Sequence, residues 1–398
     1  MGLTLTFVIG LLLPSYAIVC YYLFLVVARG CGLQESRLPA QAPQHRFMIV
    51  IPAHNEQQVI ERTIRSCQAS KYPPNQFDIT VIADNCHDET AALAQRLGVD
   101  VLTRHDKDRH GKGFALAWAF QRLLALPYDA FMVLDADSPL DENALGVMDS
   151  FLQEGASILQ ANHRASNPDA SPISYAASVG RTLEYDLFFV PKSKLGLSVM
   201  LVGTGMVFHR SILESSGWSS HSCAEDTEFT IQLARQHQRI HFIGNALVQC
   251  INAETTKELR VQRTRWASGN LSLSRSNALP LIFEGIKHRN LRIADLGWTL
   301  LITSRPLVLT HLLAVQLGAG VLCWWVPTDR SIQLAAAALG LLPLYGLYLL
   351  AGIWMLGLSP RRFQYLLHTP LVLAQIASIS LLALLGFRNH SWNRTPRH

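Results

Sequence analysis

The stretch DAFMVLDADSPL, residues 129–140, joins an apolar run, Phe131–Leu134, to two carboxylates one residue apart, Asp135 and Asp137. On an extended backbone, side chains two apart point the same way, so both acids would face one ligand with Ala136 turned aside. Two such charges repel unless a cation or donor offsets them. A hard divalent ion does this while leaving coordination positions for water and phosphate. The pair therefore indicates a metal–diphosphate site. A lone D-x-D is more often a helix cap beside a solvated loop carboxylate, so the reading depends on what else the chain supplies.

Three further segments supply it. Glu225-Asp226, in CAEDTEFT, precedes a helical pattern, and a carboxylate held beside a reacting hydroxyl can act as a general base. Gln262, Arg265 and Trp266 fall at i, i+3 and i+4 and share one helix face. Arg suits a diphosphate through paired hydrogen bonds, and Trp offers a flat apolar face for a sugar ring. The same basic, aromatic helix would also suit a membrane surface. Lys112, flanked by Gly111 and Gly113 ahead of a helical run, suits phosphate at a helix N-terminus. Each segment alone has a plainer explanation, as an acidic first turn, an interfacial helix or a surface turn.

The elements that must position these residues alternate. Phe47–Pro52, Ile79–Ala83, Val99–Thr103 and Ala130–Leu134 read as strands. Residues 57–69, 89–97 and 114–126 read as the helices between them. Repeated β–α units predict a mainly parallel, Rossmann-like α/β sheet with helices on both faces. Ligands then bind beyond the carboxyl ends of the strands. Ala53–Glu56, Asp84-Asn85 and Asp135–Asp137 occupy those ends. After residue 156 the alternation loosens. A Gly203-Thr204-Gly205 turn runs into a strand-like MVFH, and helices are expected from Asp226 and over Glu254–Ser272.

Of the 398 residues, 49% are hydrophobic and only 16% charged, more apolar than a soluble domain. The excess lies in four long uncharged runs: Leu3–Ala28, Leu307–Val326, Ile332–Gly357 and Leu366–Phe387. Each reaches the roughly 20 residues that cross a bilayer. The first lacks a basic leader and is too long for a signal peptide core, so a retained anchor is expected. The division expected is an anchor over 1–29, an aqueous domain over 30–290 and a membrane region over 291–398 with three or four hydrophobic segments. Arg29, Arg37, Arg46, Lys287, Arg289 and Arg292 flank the large domain and place it on the cytoplasmic side. The pair Arg361-Arg362 and the tail residues Arg388, Arg394 and Arg397 flank the last segment at both ends, which leaves its direction open. Seven cysteines without a CxxC pair fit a reducing compartment. The spread of basic residues excludes a nucleic-acid patch.

Taken in order, IPAHNE (51–56), ADN (83–85), GKG (111–113), LDAD (134–137), GTGM (203–206), AED (224–226) and QRTRW (262–266) resemble the membrane-embedded family 2 glycosyltransferases, such as cellulose, hyaluronan and poly-N-acetylglucosamine synthases. The resemblance covers about residues 46–275. It implies a GT-A fold and an inverting, metal-dependent transfer of a hexose or N-acetylhexosamine from a nucleotide-activated sugar, expected to be a UDP-sugar. By the same resemblance Ala53, Glu56 and Asp84 meet the nucleotide, Lys112 lies near the phosphates, and Asp135 contacts nucleotide or metal. Asp137 binds Mg²⁺ or Mn²⁺, and Asp226 is the base. Glu225, Gln262, Arg265 and Trp266 hold the diphosphate and the acceptor. Ala224 departs from the Thr that many such synthases carry. The expected product is a surface or exopolysaccharide made at a bacterial inner membrane, with transfer of one sugar to a membrane lipid as the alternative. An inactive membrane scaffold would be expected to lose acids that this chain retains. The sequence identifies no export partner.

Overall fold

The computed structural model describes residues 2–31 and 42–385. Arg37 and the tail arginines Arg388, Arg394 and Arg397 lie outside them. Seven strands form one sheet: β1 Phe47–Ala53, β2 Phe77–Asp84, β3 Asp100–Arg104, β4 Ala130–Val133, β5 Ile158–Ala165, β6 Met206–His209 and β7 His241–Cys250. Their order is β3-β2-β1-β4-β6-β5-β7. The β3-β2-β1-β4 half is parallel throughout, as expected for βαβ crossovers. β6 runs antiparallel to both neighbours, and β7 pairs parallel with β5, so the sheet is mixed, though mostly parallel.

The core strands are apolar because both faces are covered. Met48 and Val50 point into one layer, while Phe47, Ile49 and Ile51 point into the other. The shorter helices of the sheet domain are α2 Ile60–Gln68, α3 Thr90–Arg96, α4 Lys112–Leu123, α5 Ala144–Gln153, α6 Pro172–Glu184, α7 Val190–Lys194, α8 Arg210–Ser216 and α9 Glu225–Arg235. A π-helical segment, Tyr185–Phe189, links α6 to α7. The long helices are α1 Gly2–Gly30, ahead of the sheet, and α10 Thr256–Lys287, α11 Leu291–Ile302, α12 Arg305–Trp325, α13 Asp329–Leu356 and α14 Pro360–Leu384, behind it.

Among the described residues four helices are long and apolar enough to cross a membrane: α1, α12, α13 and α14, three of them after the sheet. α11, at 12 residues, is too short to span and packs on α10. There Gly297 meets the Ala278 carbonyl and Gly285 meets the backbone of Ala294, approaches that a Cβ would block. The apolar bundle joins the sheet domain without a break. Tyr22 of α1 stacks on Tyr348 of α13 at 4.5 Å and touches Phe188 of the π segment at 5.9 Å. Tyr348 donates to the Leu183 carbonyl. At the start of α14, Arg362 grips both oxygens of Asp169, at 2.7 and 2.8 Å, which fixes the Arg361-Arg362 end of that helix against the sheet domain.

Candidate active site

The carboxyl ends of β1, β2 and β4 open into a cavity of about 930 Å³ that continues between the long helices. Ala53, Glu56, Asp84, Lys112, Asp135, Asp137, Glu225, Asp226, Gln262, Arg265 and Trp266 all line it. One detail differs from the sequence reading. β4 stops at Val133, and Asp135–Ser138 forms a turn in which the Ser138 N–H donates to the Asp135 carbonyl at 3.0 Å. The turn, not an extended strand, presents both acids to the cavity. It is held by Thr204, whose Oγ1 accepts from the Asp135 N–H at 3.1 Å.

Each strand end bends sharply. Asn55 and Asn85 both adopt left-handed backbone, with φ of 55° and 50°. Asn is tolerated there because its side chain can bond nearby backbone. The Asn55 Oδ1 accepts from the His87 N–H and the Asn85 Oδ1 from the Asp106 N–H, both at 2.8 Å. These bonds tie the loops after β1, β2 and β3 into one rim. An Asn directly after a strand was the available signal for both.

Asp84 is paired with Arg104 at 2.5 Å, deep in the rim. Burial pushes the Asp84 carboxyl up, and Arg104 opposes the shift. Arg104 was not expected from sequence, although it ends β3 at the same sheet edge. It also binds Asp106 and the Arg109 carbonyl, both at 2.8 Å, and so fixes the loop leading to Lys112.

Lys112 opens α4 and bonds Asp135 and the Gly203 carbonyl, each at 2.5 Å, with Glu225 at 3.7 Å. Burial disfavours its charge, but Asp135, Glu225 and Asp226 outweigh that and hold its pKa above the ordinary lysine value. Gly113 lets α4 lie this close: a Cβ there would sit 2.2 Å from the Ser220 carbonyl oxygen. Gly113→Ala must shift either Lys112 or the loop ahead of Asp226. We expect kcat/KM to fall on the order of 10²-fold, as for a misplacement near 1 Å. Steady-state kinetics showing an unchanged kcat/KM would mean that the approach is not needed.

Glu225 and Asp226 form the first turn of α9. Both carboxyls are raised. For Asp226, burial is the main cause and the Glu225 charge the second, and together they push it up to about 7, against the Thr227 N–H at 2.7 Å and Lys112. To serve as a base Asp226 would have to be ionised, and on that assignment kcat/KM should fall as pH drops through about 7 rather than through the ordinary carboxylate range near 4. Glu225→Gln removes a like charge and should move this limb to lower pH. A wild-type limb near pH 4 would refute the assignment.

α9 is tied to α10, which carries Gln262, Arg265 and Trp266. Thr227 donates to Asn270 at 2.8 Å, and a Cβ at Gly269 would fall 2.9 Å from the Ala224 Cβ. This close crossing accounts for the small residue at 224, the position where the sequence departs from the synthases it resembles.

The Glycosyltransferase like family 2 model matches residues 43–269, which is the sheet and the cavity residues through α10's first turns. The chain is a family 2 glycosyltransferase. A probable glycosyltransferase of Bacillus subtilis (strain 168), YdaM, is 28% identical to it over 248 residues, 56% of this chain and 55% of the relative. The beta-monoglucosyldiacylglycerol synthase of Trichormus variabilis is 27% identical over 229 residues, 56% of this chain and 48% of that one. The family 2 chain thus spans about half the length of these curated relatives. Mannosyltransferase PcManGT from Pyrobaculum calidifontis, solved in complex with GDP-Man and Mn²⁺, superposes with a TM-score of 0.61 over 96% of this chain and 99% of its own. At 15% identity that likeness is one of fold, and it makes the sheet of this glycosyltransferase GT-A-like.

Proposed function

We propose that the protein transfers one hexose or N-acetylhexosamine, with inversion, from a nucleotide-diphosphate sugar to a hydroxyl of a membrane-held acceptor. The observation that carries the reading is one continuous cavity, with Asp84 and Asp135 at its sheet end, Asp226 in its middle and the long apolar helices at its far end. Asp226 takes the proton as the acceptor oxygen attacks the anomeric carbon. The bond to the diphosphate oxygen breaks, and the nucleoside diphosphate leaves with the electron pair. Lys112 and Arg265 lie where that charge develops and can stabilise it, while Trp266 supports the sugar.

The residues present fit a divalent cation. Asp135, Asp137, Glu225 and Asp226 line the cavity together with Lys112 and Arg265. Among the described residues no group of three or more His, Cys, Asp or Glu side chains forms a ready cage. Mg²⁺ commonly takes one or two carboxylates and completes its shell with phosphate and water. Asp137 and Asp135 would hold the ion, which neutralises the leaving group when bound.

Two acceptors were open: a growing glycan, which the Gln262-x-x-Arg265-Trp266 pattern favours within the family, and a lipid. The far arm of the cavity is walled by aliphatic side chains, including Leu349, Ile353, Leu366, Leu373 and Ile376. That lining suits acyl or prenyl chains better than a polyhydroxylated strand, and one similar protein is named as a glycolipid synthase. We therefore take a lipid as the acceptor. Residues 30–290 act as the cytoplasmic catalytic domain, with 1–29 and 291–398 in a bacterial inner membrane. Membranes containing the protein, incubated with a panel of labelled UDP-sugars, should yield one labelled species in the organic phase. A ladder of labelled oligosaccharides in the aqueous phase would restore the polymer reading.

A further inference from the structure

Beyond Asp226, the cavity passes three arginines that the transfer chemistry leaves unused: Arg181 of α6, Arg263 of α10 and Arg305 at the start of α12. Arg181 donates to Asn252 and to His163 Nδ1, both at 3.0 Å. Because a guanidinium only donates, that bond leaves the imidazole proton on Nε2, which is buried and has no hydrogen-bond partner. Arg305 bonds the Tyr348 hydroxyl at 3.1 Å and lies 3.9 Å from Glu184. Arg263 lies over the Trp266 ring at 5.4 Å, and its Nε is buried with no hydrogen-bond partner.

The cluster is cationic and undercompensated. Among the described residues, Glu184 is the carboxylate that acts on all three guanidiniums. Burial first, then Arg181 and Arg305, lower the Arg263 pKa to about 10 against the opposing charge of Glu184. Burial also holds His163 neutral, with Arg181 and then Lys112 adding to the effect. Buried donors without acceptors and excess positive charge are costly unless an anion completes them. The aliphatic arm begins immediately beyond. A soluble anion would use the charge and leave the arm empty, whereas a growing glycan would use neither.

Resting on the lipid-acceptor reading, we propose that Arg181, Arg263 and Arg305, with the His163 Nε2–H, bind the headgroup phosphate of an anionic membrane lipid. Its chains lie among α12, α13 and α14, and its free hydroxyl reaches Asp226. The acceptor is thus a phosphate-bearing lipid rather than a neutral one.

The full-length protein in detergent, mixed with phosphatidylglycerol or with diacylglycerol of the same chains, tests this by native mass spectrometry. Wild type should retain phosphatidylglycerol at least about tenfold more strongly than diacylglycerol. Arg263→Gln and Arg181→Gln should each lose most of that preference, and Arg263→Lys should keep much of it. The affinity for UDP with Mn²⁺ should be unchanged in all three, which also reports that they fold. Equal retention of the two lipids, or unchanged retention in both Gln variants, overturns the proposal. So does loss of UDP affinity alongside lipid, which would assign the arginines to the donor. Displacement of phosphatidylglycerol by millimolar inorganic phosphate would also overturn it, in favour of a soluble anion. If phosphate-dependent retention holds while no UDP-sugar is consumed, the transfer reading fails and the lipid pocket stands.

Discussion

Asp226→Asn is expected to lower kcat by about 10³-fold or more while UDP binding survives. Positioned general bases typically contribute 10²–10⁴-fold. Here the residue is chosen by more than its motif. Asp226 lies within ordinary van der Waals reach of Gly203, with its Oδ2 3.4 Å from where a Cβ would stand, and the Lys112 Nζ is 3.6 Å from the same point. The base and the phosphate-end lysine therefore meet at one glycine. Asn keeps the shape and the bond from the Thr227 N–H but cannot accept a proton. Donor affinity should hold, because the nucleotide end is built from Asp84, Lys112 and the Asp135–Ser138 turn. Single-turnover kinetics together with UDP calorimetry separate the two effects. Turnover within a few fold of wild type would remove Asp226 as the base.

Asp137→Ala is expected to abolish the metal dependence of donor binding. In wild type, Mn²⁺ should strengthen UDP binding by about tenfold or more, since a cation held by Asp137 would offset the diphosphate's charge. Lys112 already occupies Asp135 at 2.5 Å. By the family resemblance Asp137 is the ion's own ligand, whereas Asp135 is shared with the nucleotide, so losing Asp137 should cost more metal response than Asp135→Asn. Calorimetry with and without Mn²⁺ decides this. An equal metal response in wild type and Asp137→Ala would refute the role.

The legible part of the fold was the part whose signal is local. β1, β2 and β4 are apolar runs because both sheet faces are covered, and the strand-end rule then gathered Asp84, Asp135 and Asp137 at one edge. β5 and β7 escaped because they are polar for buried strands. Gln160 is fully buried, but its amide donates to the Thr204 carbonyl at 2.8 Å and accepts from the Val202 N–H at 3.0 Å. Asn162 donates to the Gly244 carbonyl at 2.8 Å. Partners more than forty residues away take up the Gln160 amide and the Asn162 Nδ2, and no short window of sequence displays them. The same holds for the site. Its acids announced themselves by spacing, whereas Arg104 and the arginine cluster depend on which loops and helices meet in space. The antiparallel β6 also follows from this: its short MVFH run looks the same in either direction.

The continuity of the cavity sets a competition at the base. A carboxylate that can take a proton from an acceptor hydroxyl can take one equally from water, which would hydrolyse the sugar donor. The aliphatic arm offers water few hydrogen-bonding groups, chiefly the Thr369 and Ser380 hydroxyls, and an occupying lipid chain would fill it. Futile donor hydrolysis should therefore be slow in a lipid-loaded enzyme and faster in a delipidated one. The long helices would then protect the donor as well as anchor the chain.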